Sequence, residues 1–150
     1  MQRCSDIMTN DPACCVPGDM VDRAANLMKT RNVGPVPVVD EPAGRRLVGI
    51  ITDRDLALKV IAEGRDAKKT RVEDVMTRGV VTCRADDDVQ KALDVMSEHQ
   101  LRRVPVLDRE NRLVGMIAQA DVATSMMTAE KVAGVVKDIS RPERATPGRA

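Results

Sequence analysis

No phenylalanine, tyrosine or tryptophan occurs anywhere in the 150 residues. Val, Leu, Ile, Ala and nine Met must therefore fill the core. Any planar ligand base has to lie between aliphatic and Met side chains, because there is no ring to stack on. The same absence argues against single-stranded nucleic-acid platforms, which depend on base stacking. Histidine occurs once, as His99, and the four cysteines (Cys4, Cys14, Cys15, Cys83) form no CxxC pair, so the spacing gives a zinc site no support. Net charge is also missing. With 24 basic and 23 acidic residues the balance is +1, which creates no strong field to attract DNA, RNA or an anionic membrane. No apolar run approaches the ~18 residues of a membrane-spanning helix. The opening Met1-Gln2-Arg3-Cys4-Ser5-Asp6 lacks the apolar stretch of a signal peptide. A cytoplasmic protein with no nucleic-acid, membrane or metal partner is the expectation.

What the chain does have is a repeat. Asp6-Ile7-Met8-Thr9 returns as Asp74-Val75-Met76-Thr77, and Val36-Pro37-Val38-Val39-Asp40 returns as Val104-Pro105-Val106-Leu107-Asp108. Leu47-Val48-Gly49-Ile50-Ile51 returns as Leu113-Val114-Gly115-Met116-Ile117, followed in each copy by an Asp, at Asp55 and Asp121. The offset is 68 residues up to Asp108 and 66 beyond it, because the turn 41–46 shortens to 109–112. Two copies of this length are too few and too long for a solenoid. They fit an α/β fold of two β-α-β-β-α units related by a pseudo-two-fold axis, with repeat 1 over 1–65 and repeat 2 over 66–127. A polar connector covers 65–73, and a C-terminal helix and loose tail cover 128–150.

Each copy begins with a short apolar stretch, 13–16 or 80–83, expected as a strand. A helix follows. Asp19 is a candidate N-cap, with Val21, Ala24, Ala25 and Met28 on one face. Val89, Ala92, Leu93 and Met96 match them in the second copy, after an acidic cluster at Asp86–Asp88 that suits a helix start. Strands are expected over 36–39 and 47–51, and over 104–107 and 112–117. Pro37 and Pro105 have no N–H for a ladder, which places each at a strand start, edge or bulge. Closing helices are expected over 53–63, ended by Gly64, and over 119–126. Thr128 is a candidate cap for a last helix presenting Val132, Val135, Val136 and Ile139, and the residues from Ser140 read as a tail. Cys15 and Cys83 hold the same place in the two copies, as small buried side chains in equivalent strands. A pairing of these two across the pseudo-axis, or a redox role for vicinal Cys14 and Cys15, is the alternative. His99 reads as a helix-end residue and the Met residues as core filler.

The D-[IV]-M-T, V-P-V-[VL]-D and L-V-G-[IM]-I motifs, with T-D-R-D or A-Q-A-D after the last, resemble the CBS domain family, named after cystathionine beta-synthase. The resemblance spans roughly 4–127 and occurs twice in the same order. It implies a disc-like pair of repeats, the Bateman module, which commonly dimerises. It also implies clefts between the repeats for an adenosine-containing ligand such as AMP, ADP, ATP, NAD or S-adenosylmethionine. The implied role is regulatory, not catalytic, with an effector protein left unnamed.

The residues suited to such a ligand begin at Thr52, where a strand passes into a helix. A helix start favours phosphate. The Thr52 hydroxyl is able to donate to a phosphate oxygen, Arg54 to add charge, and Asp55 to accept from both ribose hydroxyls. Thr52 and Asp55 also spell a capping box, which would satisfy backbone N–H groups alone. In the second copy Ala118 replaces the Thr while Asp121 remains, which suggests a separate task for the Asp, although a charge–dipole role would also retain it. Arg103, beside Arg102, is placed to reach a phosphate or to stay solvated. The resemblance further implies that each site borrows the opposite repeat's opening: Met76, Thr77, Val80, Val81 and Thr82 for the first, and Met8, Thr9, Ala13 and Cys14 for the second. Two rival functions are a protein-interaction module with empty clefts and a redox protein built on Cys14 and Cys15. The second lacks a base beside either thiol in the pattern.

Overall fold

The computed structural model describes residues 2–134 of the protein, with side chains up to Thr128. One turn of helix, α1 (Cys4–Ile7), leads into β1 (Thr9–Asn10), α2 (Val21–Arg31), β2 (Pro35–Val39), β3 (Leu47–Thr52) and α3 (Asp53–Leu56). A π-helical turn, Ala57–Ile61, continues α3. The second half repeats this order with α4 (Val72–Val75), β4 (Cys83–Arg84), α5 (Val89–Glu98), β5 (Arg103–Leu107), β6 (Leu113–Ala118) and α6 (Gln119–Gly134). The α/β tandem repeat expected from the sequence is the fold, with an added helical turn at the head of each copy.

Each repeat is built on an antiparallel hairpin. In β2–β3 Val36 faces Ile51, and in β5–β6 Val104 faces Ile117, with a bulge after Val38 and after Val106. The Asp that ends the V-P-V-[VL]-D motif organises the hairpin turn. Asp40 Oδ1 accepts from the N–H of Glu41 at 2.7 Å and of Arg46 at 2.9 Å; Asp108 Oδ1 accepts from Glu110 and Arg112, each at 2.9 Å. The N-terminal stretch of the same repeat flanks one side of each hairpin, in parallel: Cys15 against Val38, and Cys83 against Val106.

The other side is taken by the opposite repeat. Thr9 pairs antiparallel with Met116, and Thr77 with Ile50. Thr77 and Ile50 exchange both backbone hydrogen bonds, at 2.8 and 2.9 Å. This exchange explains two motifs together. A Cβ on Gly49 would lie 2.7 Å from Met76 Sδ and 3.1 Å from the Thr77 carbonyl; on Gly115 it would collide with Met8 Sδ and lie 2.9 Å from the Thr9 carbonyl. The Gly of L-V-G-[IM]-I is the seat for the Met of D-[IV]-M-T in the other copy. The Asp of that motif caps its own helical turn, with Asp6 accepting from Arg3 N–H at 2.8 Å and Asp74 from Arg71 N–H at 3.3 Å.

The apolar interior follows the exchange. The first cluster gathers Cys15, Val21, Ala24, Val36, Val38, Ile51 and Val60 with Val72, Val75 and Met76 from the second half. The second gathers Cys83, Val89, Ala92, Met96, Val104, Val106, Ile117 and Val122 with Cys4. A third, of Val39, Leu107 and Leu113, sits between the hairpins, where Leu113 N–H donates to Arg45 at 2.7 Å and Leu47 N–H to Asn111 at 3.3 Å.

Several expectations need correction. Asp19 does not cap α2, whose N-cap is Met20; its carboxylate accepts from Val16 N–H at 3.0 Å. The stretch 13–16 is reduced to the single bridge at Cys15. Ala25 faces solvent, while Val21 and Ala24 are buried. Of the placings expected for the prolines, Pro37 takes the edge, inside β2 of a two-stranded sheet, whereas Pro105 lies inside β5 between β6 and the short β4; both are buried. The Pro37 carbonyl accepts from Cys15 N–H at 2.9 Å, so its ring nitrogen faces that same short neighbour, where little ladder remains to be broken. The connector is partly packed. Thr70 is buried, and the Ala67 and Thr70 carbonyls accept from the first N–H groups of α2, Asp22 and Val21. Thr128 lies inside α6 and starts no new helix. The face expected from Val132, Val135, Val136 and Ile139, and the tail from Ser140, fall outside the described side chains.

Replacing either glycine by alanine should destabilise the fold by roughly 1–3 kcal/mol, the usual cost of overpacking. Gly115→Ala should cost more than Gly49→Ala, since both the Met and a backbone carbonyl crowd it more closely. Urea unfolding of the two variants would check the order.

Candidate functional site

A cleft of about 1190 Å³ opens between the repeats. That exceeds the ~300–1,000 Å³ usual for small-molecule sites. The first half contributes Gly34, Pro35, Ile50, Thr52 and Asp53; the second contributes Thr77, Gly79, Val80, Val81, Arg102, Arg103 and Pro105, with the start of α6 at Gln119 and Ala120. Aliphatic side chains (Ile50, Val80, Val81, Leu93) share the lining with acidic Asp53 from the first repeat and basic Arg102 and Arg103 from the second.

The first repeat's side of the cleft is backed by a hydrogen-bond network. Thr52 closes β3 and caps α3: its hydroxyl accepts from Asp55 N–H at 3.0 Å, and Asp55 Oδ2 accepts from Thr52 N–H at 3.0 Å. Asp55 is only 7% exposed, and its carboxylate has further partners. Lys59 Nζ lies 3.0 Å from Oδ1, and the Thr77 hydroxyl donates across the repeat boundary at 3.3 Å. Lys59 also donates to the Val75 carbonyl at 3.0 Å, at the end of α4. Three groups, two from its own repeat and one from the other, therefore meet on one carboxylate. A buried carboxylate requires such partners.

The second half has no such knot. At the position of Thr52 stands Ala118, and Asp121 is exposed. At the position of Lys59 stands Ser125, which donates to Gln2 Oε1 at 2.8 Å. The first N–H of α6, at Gln119, donates to the Arg102 carbonyl at 2.7 Å.

A sequence profile of the CBS domain matches residues 4–62 and again 72–128. The chain belongs to the CBS-domain family. The CBS domain-containing protein YhcV of Bacillus subtilis is 38% identical over 140 residues, covering 93% of this chain and 96% of that one. Among solved structures, CBSX2 in complex with AMP matches with a TM-score of 0.73 and 26% identity, over 87% of this chain and 99% of that one. The CBS domain pair of protein MJ0100, in complex with 5-methylthioadenosine and S-adenosyl-L-methionine, matches with a TM-score of 0.72 and 29% identity, over 86% and 98%.

Of the residues singled out in the sequence, Thr52, Thr77, Val80, Val81 and Arg103 line the cleft. Asp55 lies behind Thr52. Thr82 joins Val80 and Gly79 in a smaller adjoining pocket of about 240 Å³ with Leu47, Val48, Leu107 and Asn111. Arg54 and Asp121 are exposed, Ala13 is half-buried, and none of the three lines either pocket. Of the residues expected to form the second site, Arg103 lines this cleft with those of the first, while Met8, Thr9, Ala13, Cys14 and Asp121 do not. Lys59 escaped the sequence reading, although its place four residues after Asp55 on a helix was a usable signal. Cys14 is half-buried beside the Arg45 guanidinium, 3.7 Å from its sulfur. Burial, with a smaller push from Asp19, raises the Cys15 thiol to about 11, which makes it a poor nucleophile. Among the described residues no cluster of three or more His, Cys, Asp or Glu is placed to hold a metal ion.

Thr52→Ala should lower the unfolding free energy by about 0.5–2 kcal/mol, the usual worth of such a cap. Installing a hydroxyl with Ala118→Thr should recover part of it by building a cap for Asp121. Chemical denaturation of both variants and the pair would test this, and no change on losing Thr52 would contradict it.

Proposed function

We propose that the cleft binds an adenosine-containing ligand and that the protein is a regulatory module, not an enzyme. The observation that carries this reading is a large cleft walled by aliphatic side chains from both repeats, with Asp53 from the first and Arg102 and Arg103 from the second in its lining. The AMP bound by CBSX2 and the S-adenosyl-L-methionine and 5-methylthioadenosine bound by MJ0100 support the ligand class. In a chain without aromatic rings, Ile50, Val80 and Val81 sandwich the base. Asp55 accepts from the ribose hydroxyls once Thr77, whose hydrogen bond is the longest of the set, turns away. Phosphate lies on the second repeat's side, where Arg103 adds charge to the start of α6. Thr82 shapes the smaller adjoining pocket, and the exposed Asp121 and Arg54 and half-buried Ala13 act from outside the lining. AMP, ADP, ATP and NAD all meet these demands; S-adenosylmethionine uses the first repeat's side alone. The ligand signals by favouring one arrangement of the repeats over another, which requires different affinity for the two.

A thermal-shift series with AMP, ADP, ATP, NAD and S-adenosylmethionine tests this. A ligand at ~100 times its dissociation constant should add ~2.7 kcal/mol of stability, several degrees for a chain of this size. Asp55→Asn should weaken every ligand, Arg103→Ala only the phosphate-bearing ones. Silence across the panel would favour a protein-interaction module with unoccupied clefts.

We also infer a homodimer. Ile61 is 76% exposed and Met127, its counterpart in the second repeat, 68%; Leu58 and Met126 flank them at 48% and 40%. An exposed apolar side chain at the same position of both repeats, Ile61 and Met127, suits a self-complementary contact. Sedimentation should show a dimer in the native chain and a monomer for the Ile61→Asp, Met127→Asp double variant.

A further inference from the structure

The closing helices of the two repeats differ at the turn that follows Asp55. In the first repeat Ala57–Ile61 is a π turn, in which the Ala62 N–H donates to the Ala57 carbonyl at 2.9 Å. The matching residues of the second repeat, 123–127, run as α-helix within α6. A π turn holds one residue more than an α turn, is rare, and occurs most often at functional sites. Lys59 stands in the middle of this turn and makes two contacts at once. Its ammonium lies 3.0 Å from Asp55 Oδ1 in its own repeat, and donates at 3.0 Å to the Val75 carbonyl at the end of α4 in the other repeat. Ser125, at the same place in the second repeat, donates instead to Gln2 Oε1. The repeat with the π turn is thus the one whose central side chain is tied both to a buried carboxylate and across the repeat boundary. The segment 75–77 has a second tie to that carboxylate, through the Thr77 hydroxyl. Leu58 and Ile61, on either side of Lys59 in the turn, are exposed.

We propose that this π turn is a conformational switch, held open by the Lys59 bridge between Asp55 and the Val75 carbonyl, through which a ligand in the cleft repositions Leu58 and Ile61. The inference rests on the cleft binding a ribose-bearing ligand at Asp55. Donors from Thr52, Lys59 and Thr77 already meet there, on a carboxylate with about four lone-pair sites. Two ribose hydroxyls exceed that number, so they displace Thr77 and compete with Lys59 for Oδ1. Lys59 is half-exposed, and its ammonium passes to water at little cost. With nothing fixing Lys59 over Asp55, the turn closes to α geometry. Taking one residue out of a turn re-phases the helix on its two sides by about 100°, the angle one residue occupies in an α-helix. The outward side chains Leu58 and Ile61 then change their bearing. Ligand and turn are linked because the ligand favours one of two discrete arrangements, the condition for a signal to leave the cleft.

The test is methyl NMR of the full-length protein labelled at isoleucine, titrated with AMP and, separately, with ATP. Ile50 lines the cleft and reports that a nucleotide is bound, whereas Ile61 lines neither cavity and reports the turn. In wild type both methyl signals should move with the same nucleotide. In Lys59→Met the Ile61 signal should start near its nucleotide-bound wild-type position and stay there while Ile50 still moves. Lys59→Arg, which keeps the cation, should preserve the response of Ile61. Asp55→Asn, which removes the charge that holds Lys59, should shift Ile61 in the same direction as Lys59→Met with no ligand present. An Ile61 signal that ignores the nucleotide while Ile50 responds, or that moves in Lys59→Met as it does in wild type, would overturn the switch. If neither nucleotide moves Ile50, the reading of the cleft fails. The switch is then judged without ligand, and unlike shifts of Ile61 in Lys59→Met and Asp55→Asn would sink it.

Discussion

The fold depends on a reciprocal seat. Met76 lies on Gly49, Met8 lies on Gly115, and next to each Met a threonine backbone pairs with the strand that carries the glycine. Neither contact is strong alone; a pair of backbone hydrogen bonds has a modest net worth. Their effect is architectural. Each hairpin has one free edge that only the other repeat fills, and each core holds side chains it does not own. Edges left open invite pairing with foreign strands. Here they are closed by an intramolecular exchange, and the cleft is the space that remains between two halves held by their exchanged ends.

Much of this was readable in the residues. The repeated motifs announced two equal units, and alternation of Val, Pro and Val with an Asp at the end announced hairpins. The helical turns at 4–7 and 72–75 were not readable, because four residues carry no period. Asp19 misled for a related reason. Its structural counterpart is Asp87, which accepts from Arg84 N–H at 2.8 Å just as Asp19 accepts from Val16, while the true caps are the next residues, Met20 and Asp88. In both copies the Asp stands one residue before the cap, and a cap-forming residue type does not by itself separate those two adjacent positions. The cleft residues Thr52, Thr77, Val80, Val81 and Arg103 were legible from motif position. Their union in one cleft depends on how the two sheets meet, which no local pattern encodes.

The two halves also show how a repeat diverges without losing its frame. The positions that hold the exchange, Met and Gly, are the same in both copies. The positions facing the cleft are not: Thr52 has become Ala118, and uncharged Gly34 and Pro35 have become Arg102 and Arg103, while behind them Lys59 has become Ser125. Structural residues answer to their partner in the other repeat, so neither can change alone. Cleft residues have no such partner in the other repeat, so the two walls are free to differ. The Asp55 carboxylate, behind the cleft, connects the two repeats, because Thr52 and Lys59 reach it from its own repeat and Thr77 from the other.

The exchanged segments carry a further consequence. A contact in which two like units trade the same element is a domain swap, and a swap closed by two-fold symmetry is complete at two members. Two separate copies of one repeat would form the same pair of contacts, at a strength set by their concentration. The connector replaces that concentration with a fixed local one. What it adds is therefore not a new contact but independence from dilution, and with it the freedom for the two copies to become different.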